Sequence, residues 1–92
     1  MIKRSYDDGC VGFKLTQQES KPNNIGKYLN DVSPLNMTDT EILVNNIIMA
    51  EQSSKVFPSS GYRVAWKRSP DFGYVAIVFC PLQEIYEDES GQ

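Results

Sequence analysis

The sequence predicts an α+β fold: an antiparallel sheet of about four strands, in ββααββ order, with two helices packed on one face. Three observations carry this. Residues 24–55 hold two stretches of helical periodicity separated by Pro34. Tyr62, Val64 and Trp66 alternate with Arg63, Ala65 and Lys67 at strand period, and Tyr74–Cys80 is apolar almost throughout. A chain of 92 residues makes one domain, read here as 1–86, with an acidic tail over 87–92.

The elements follow in order. Asp8-Gly9 is a favoured type I′ pair, so Lys3–Leu15 reads as a hairpin. After the turn, Val11, Phe13 and Leu15 alternate with Gly12 and Lys14, whereas alternation before it is weak. Gln17–Asn23 is polar, contains Pro22 and reads as a loop. Asn24 then caps a helix whose Ile25, Tyr28, Leu29 and Val32 share one face, and Pro34 stops it near Ser33. Thr38 and Glu41 have the spacing of a capping box for a second helix running to about Lys55. Leu43, Ile47 and Ala50 form its apolar stripe, widened by Val44 and Ile48, and Pro58 and Gly61 close the segment. Ser69–Gly73 is a turn. The apolar run that follows it predicts a central strand covered on both sides and ended by Pro81. Leu82, Ile85 and Tyr86 are expected to tie down the start of the tail.

Charge is unevenly placed. The chain carries a net −3, but Glu84–Gln92 holds Glu84, Glu87, Asp88 and Glu89 with no base, and the rest has eight acids against nine bases. Such a tail reads as a solubilising segment or as a patch for a cationic partner. No run of 18 apolar residues predicts a membrane span, and the N-terminal Met1-Ile2-Lys3-Arg4 lacks an apolar stretch behind its bases. The expected compartment is the cytoplasm, where Cys10 and Cys80 would be reduced, small, buried strand residues.

Catalytic constellations are hard to find. There is no histidine, which removes the commonest general base, the usual triads and most zinc sites, and leaves neither cysteine an imidazole to form its thiolate. Gly9-Cys10-Val11-Gly12 lacks the spacing of a phosphate-binding loop. Asp7-Asp8 and Glu87-Asp88-Glu89 sit in a turn and a tail, without the burial that separates the pKa values of an acid pair. The expectation is a protein with no metal, cofactor or small-molecule ligand that acts by binding and not by catalysis.

Two nucleic-acid readings arise. The helix pair suggests a helix-turn-helix, but the second helix has Asn45 and Asn46 with no base before Lys55, while Asp39, Glu41 and Glu51 would repel a duplex. The 62–74 hairpin fits better. Arg63, Lys67 and Arg68 lie among Tyr62, Trp66 and Phe72, and Lys3 and Arg4 join them if the edge strands pair. Trp66 is expected in the core, with Arg63 and Lys67 on the opposite strand face.

In size, bipolar charge and lack of catalytic motifs, the whole chain resembles the small anti-CRISPR proteins of bacteriophages, among them the type I-F inhibitors. The resemblance implies a phage-encoded inhibitor working in the host cytoplasm. It would bind a CRISPR surveillance complex of the Cascade or Csy type and sterically block recognition of target DNA. In that role Asp71, Glu84, Glu87, Asp88 and Glu89 would meet lysines that otherwise hold nucleic acid. Arg63, Lys67 and Arg68 would meet acidic subunit surface or exposed guide RNA. Two other functions fit the residues: a DNA mimic that inhibits a restriction enzyme, disfavoured by eight acids against nine bases outside the tail, and a small RNA-binding module using the 62–74 hairpin.

Overall fold

Residues 1–71 and 73–82 are described by a computed structural model, and they form seven elements. In chain order these are β1 (Ile2–Ser5), β2 (Val11–Leu15), α1 (Pro22–Val32), α2 (Met37–Met49), β3 (Gln52–Phe57), β4 (Tyr62–Arg68) and β5 (Val75–Pro81). The strands make one antiparallel sheet in the spatial order β1-β2-β5-β4-β3. The α+β class is as expected, but the sheet has five strands and the chain order is ββααβββ.

The additional strand, β3, replaces the expected last turn of the second helix. Its residues Gln52, Ser53, Ser54 and Lys55 are polar on both faces, so no period-two pattern marks them. Ala50 turns extended and two contacts hold the end of α2 there: its carbonyl accepts the Trp66 Nε1–H at 3.1 Å, and the Glu51 carbonyl accepts the Arg68 N–H at 2.7 Å. Pairing then runs from Gln52 opposite Lys67 to Phe57 opposite Tyr62. An edge strand exposes one row of backbone groups, and a polar, lysine-bearing sequence suits that position.

The helices also begin earlier than their sequence signals. Pro22 is the first residue of α1, where its missing N–H would have had no intrahelical partner anyway. Asn36, not Thr38, caps α2: its Oδ1 accepts the Asp39 N–H at 2.8 Å. Asp39 Oδ2 in turn accepts the hydroxyls of Ser59 (3.0 Å) and Ser60 (2.6 Å), which ties the helix start to the β3–β4 turn. The β1–β2 hairpin exists, but its turn is not type I′. Among the described residues only glycines have positive φ, so Asp8 does not, and Gly9 at φ 82 supplies the left-handed position alone. The Tyr6 N–H to Cys10 carbonyl bond at 2.9 Å closes the turn.

Both helices lie on one side of the sheet. Ile25 and Leu29 of α1 and Leu43 and Ile47 of α2 are fully buried against Phe13, Leu15, Val64, Trp66, Val75, Ile77 and Phe79. Trp66 is core, as expected. Ile48, expected to widen the apolar stripe, is exposed. The strand β5 is central, between β2 and β4, yet it is covered on one side only: Val75, Ile77 and Phe79 are buried, while Ala76 is exposed and Val78 half-buried. Its two-sided apolar pattern therefore leaves an apolar strip on an uncovered face.

Cys10 and Cys80 are bonded to each other, contrary to the expectation of two reduced thiols. Register explains it. Val11 lies opposite Phe79, so the next position on each strand brings Cys10 opposite Cys80, with Cα atoms 4.2 Å apart. Compartment reasoning on composition had no access to that juxtaposition. The bridge closes a loop of sequence separation 70, for which the chain-entropy treatment gives about 4 kcal/mol. Thiol titration of the unreduced native protein is expected to find no free thiol. The double change Cys10→Ser with Cys80→Ser should lower the stability measured by urea unfolding by up to that amount; two titratable thiols in the native protein would contradict the pairing.

Candidate functional site

The site follows from strand alternation on the side the helices leave open. Reading across the sheet from β1 to β3, the outward positions fall into three rows. The first row is Ile2, Lys14, Ala76, Lys67 and Gln52, and the second is Arg4, Gly12, Val78, Ala65 and Ser54. The third runs Cys10, Cys80, Arg63 and Val56, with Tyr6 beside Cys10. Arg4, Lys14, Lys67 and Arg63 are all exposed, and no aspartate or glutamate occupies any of these strand positions. Lys14 and Lys67 both pair with Ala76 from opposite sides, so two strand spacings of about 10 Å separate them.

The centre of this face is low and apolar. Gly12, Ala65, Ala76 and Val78 form its floor. Two adjoining depressions, of about 390 and about 460 Å³, meet at Lys14 and Ala76. The first is bounded by Ile2, Arg4 and Tyr6, the second by Lys67, Ser69, Pro70 and Tyr74. Tyr6 lies across Gly12: a Cβ added there would come within 3.2 Å of the Tyr6 ring. Absence of a side chain at position 12 thus seats an aromatic ring at the rim. At the other rim the Lys14 ammonium stands 5.7 Å from the centre of the Tyr74 ring, a cation–π arrangement. The result is a shallow groove with a small-residue floor, cationic flanks and tyrosine at each end.

The sequence-predicted site residues separate in the structure. Arg63 and Lys67 share the open face as expected. Arg68, one residue on, points to the helix side, where its Nη1 donates to the Ser20 carbonyl at 3.1 Å and the Gly73 carbonyl at 3.2 Å. It is tied into the fold there, beside the buried Ser20 hydroxyl that accepts the Val75 N–H at 3.0 Å. Asp71 is exposed and borders a depression on Arg68's side together with Lys21 and Gly73. Glu84, Glu87, Asp88 and Glu89, with Phe72, Ile85 and Tyr86, lie outside the described residues. Lys14, Tyr6 and Tyr74 complete the face and are not among the residues read from the hairpin; of the two edge-strand bases expected to join it, Arg4 shares the face and Lys3 lies on the opposite parity. Lys14 had an audible signal, since it alternates with Phe13 and Leu15, but only the β2–β5 pairing brings it near Lys67.

The helix side is mixed in charge: exposed Asp31 and Glu41 and the buried Asp39 stand with exposed Lys21 and Lys27, and the Glu19 carboxyl is held below its ordinary value chiefly by the Thr16 N–H it accepts. Among the described residues no group of three or more His, Cys, Asp or Glu is arranged to hold a metal ion, and no helix is long and apolar enough to cross a membrane. The arrangement can bind anions over an extended, shallow surface.

These placements predict opposite behaviour for neighbouring bases. Arg68→Ala strips two carbonyls of their donor and should lower stability by about 1–3 kcal/mol. Arg63→Ala and Lys67→Ala should stay within about 0.5 kcal/mol of the parent. Chemical denaturation of the three variants checks this; equal effects would mean that strand alternation does not divide their roles. No protein-family model matches this chain, and no curated protein and no solved structure matches it.

Proposed function

We propose that this domain is a non-catalytic binding protein whose open sheet face takes single-stranded nucleic acid, above all RNA exposed on a ribonucleoprotein. The observation that carries the reading is the set of outward strand positions: Arg4, Lys14, Arg63 and Lys67 with no acid among them, around an apolar floor rimmed by Tyr6 and Tyr74. Phosphates are attracted by the bases, and unstacked bases find flat apolar surface and aromatic rings, the combination single strands use. A duplex is a poorer fit, because this face offers no helix or ribbon that enters a groove.

The general character shared with anti-CRISPR proteins supports a more specific form of the proposal. The ribonucleoprotein is then a CRISPR surveillance complex, and the basic face covers its guide RNA or the path of the target strand, blocking DNA recognition sterically. Within this reading Arg63 and Lys67 remain contact residues, joined by Arg4 and Lys14, while Arg68 holds the scaffold.

Fluorescence anisotropy with a labelled oligouridine tests the face. Binding should weaken with salt at a logarithmic slope of about −0.7 per phosphate contact, hence about −3 for four bases, and Lys14→Ala or Lys67→Ala should each remove about 0.7 of it. Absence of binding at low salt, or slopes unchanged in both variants, would refute the proposal. Retention on a purified surveillance complex, with loss in the Lys14→Ala/Lys67→Ala protein, tests the specific form.

A further inference from the structure

We infer that the chain pairs with a second copy of itself along the free edge of β3, in one register that sets Glu51 of each copy opposite Lys55 of the other. The pairing does not depend on the function proposed above.

Strand β3 is the least covered part of the sheet. Ser53 and Lys55 have the helix-facing parity and lie opposite the buried Trp66 and Val64, yet both are exposed. Gln52, Ser54 and Val56 are exposed on the other parity, and only Phe57 is buried. The helical layer therefore stops over β4, and β3 projects beyond it. Helix α2 is tied to this side of the sheet by Asp39, which meets Ser59 and Ser60, and by the Ala50 carbonyl, which meets Trp66. Its Val44 faces α1, 3.8 Å from where a Cβ on Gly26 would stand. Ile42 and Met49 occupy the flank turned away from α1, and both are exposed, Met49 to 85%. An apolar helix flank thus overlooks an uncovered strand edge.

Backbone direction limits how a partner can join. The Glu51 carbonyl accepts the Arg68 N–H, so Glu51 and, by alternation, Ser53 and Lys55 turn their backbone groups toward β4. Gln52, Ser54 and Val56 turn theirs to the free edge. A two-fold centred on Ser53 pairs Gln52 of each copy with Ser54 of the other, and each such pair exchanges both backbone hydrogen bonds. Ser53 then meets its own copy, and Glu51 lies directly opposite Lys55 twice, in the closer class of cross-strand pair.

Charge selects this register. Neither Glu51 nor Lys55 has an ion pair among the described residues. The Lys55 ammonium, 5.6 Å from the centre of the Phe57 ring, stays on the helix-facing side, which is also the parity of Glu51. Moving the two-fold to Lys55 sets lysine against lysine, and moving it to Gln52 or Ser54 leaves both charges opposite uncharged residues. The other edge, β1, carries Lys3 and Arg4 with no acid to answer them. Lysine on an edge discourages indiscriminate pairing, and here it admits the alignment in which a carboxylate faces it.

The two-fold stands perpendicular to the sheet, so the helices of both copies share one side and the open faces share the other. The Ile42–Met49 flanks of the two α2 helices approach each other above the new strand pair. On the nucleic-acid reading, the groups Arg4, Lys14, Arg63 and Lys67 of both copies then line one continuous face.

Sedimentation equilibrium of the native chain from about 1 μM to about 1 mM should pass from the monomer mass to the dimer mass. Glu51→Lys or Lys55→Glu alone creates two like-charged pairs per dimer and should weaken association at least about ten-fold; the double variant Glu51→Lys/Lys55→Glu should restore it. Ser54→Pro removes a donor that points to the free edge, leaves the β3–β4 ladder intact and should give a folded monomer. Monomer mass throughout, a dimer indifferent to both single changes, or a double variant as weak as the singles overturns the inference. Oligouridine titration separates it from the proposed function: a dimer with the expected charge pattern that ignores oligouridine upholds the interface and removes the nucleic-acid reading, and a strictly monomeric chain that binds oligouridine does the reverse.

Discussion

One helical layer covers one face of a five-stranded sheet, and the rest of the molecule follows from that limit. The helices α1 and α2 supply Ile25, Leu29, Leu43 and Ile47, enough to bury Phe13, Val64, Trp66, Ile77 and Phe79 on one side. No remaining segment among the described residues covers the other side. Antiparallel sheets tolerate this when alternate side chains are polar. Here Arg4, Lys14, Arg63, Lys67, Gln52 and Ser54 meet that requirement, but Ala65, Ala76 and Val78 toward the centre stay apolar, as do Ile2 and Val56 on the edge strands. A solvated face would be served better by threonine or serine at those positions. The combination of an apolar floor and a cationic border is what makes the face a candidate surface for a partner.

Much of the fold was legible because burial and periodicity coincide where the core is deepest. The α1 stripe, Leu43 and Ile47 of α2, the alternation in β4 and the apolar run of β5 are each written in residues that pack. What was not legible has a common cause: it depends on partners distant in sequence. Strand β3 has no pattern of its own and exists because β4 offers it a ladder. The Asn36 cap was passed over for a Thr38–Glu41 pair with the right spacing, yet Asn36 and Asp39 are the residues that meet Ser59 and Ser60 across the fold. Part of the candidate site was visible as Arg63 and Lys67, with Arg4 conditional on pairing of the edge strands; Lys14 required the β1-β2-β5-β4 order.

Arg68 shows how a charge cluster in sequence dissolves in structure. Lys67 and Arg68 are neighbours, and in a strand neighbours face opposite ways. Lys67 joins a surface of like charge, while Arg68 satisfies two carbonyls where the 16–21 loop and the 69–73 turn approach each other. Counting bases in the 62–74 hairpin merges these roles. Assigning them by parity separates a residue whose loss should unravel a junction from residues whose loss should change only the surface field.

Parity also makes the basic face a property of register, and the disulfide bears on it. Because side chains alternate with period two, a one-residue slip of β2 against β5 would carry Lys14 to the core side and Phe13 to the open side. The core opposes that slip with Phe13, Leu15, Ile77 and Phe79, whose rings and branches fill one side only; Phe13 and Phe79 meet edge to face at 6.1 Å. The Cys10–Cys80 bond opposes it covalently, at the end of the same strand pair and on the open side. Packing beneath the sheet and a covalent bond above it thus fix a single alignment, and that alignment sets Lys14 and Lys67 on either side of Ala76. The charge pattern of the open face is therefore inherited from the core, so a partner that reads the spacing of those lysines reads a dimension the hydrophobic side has already determined.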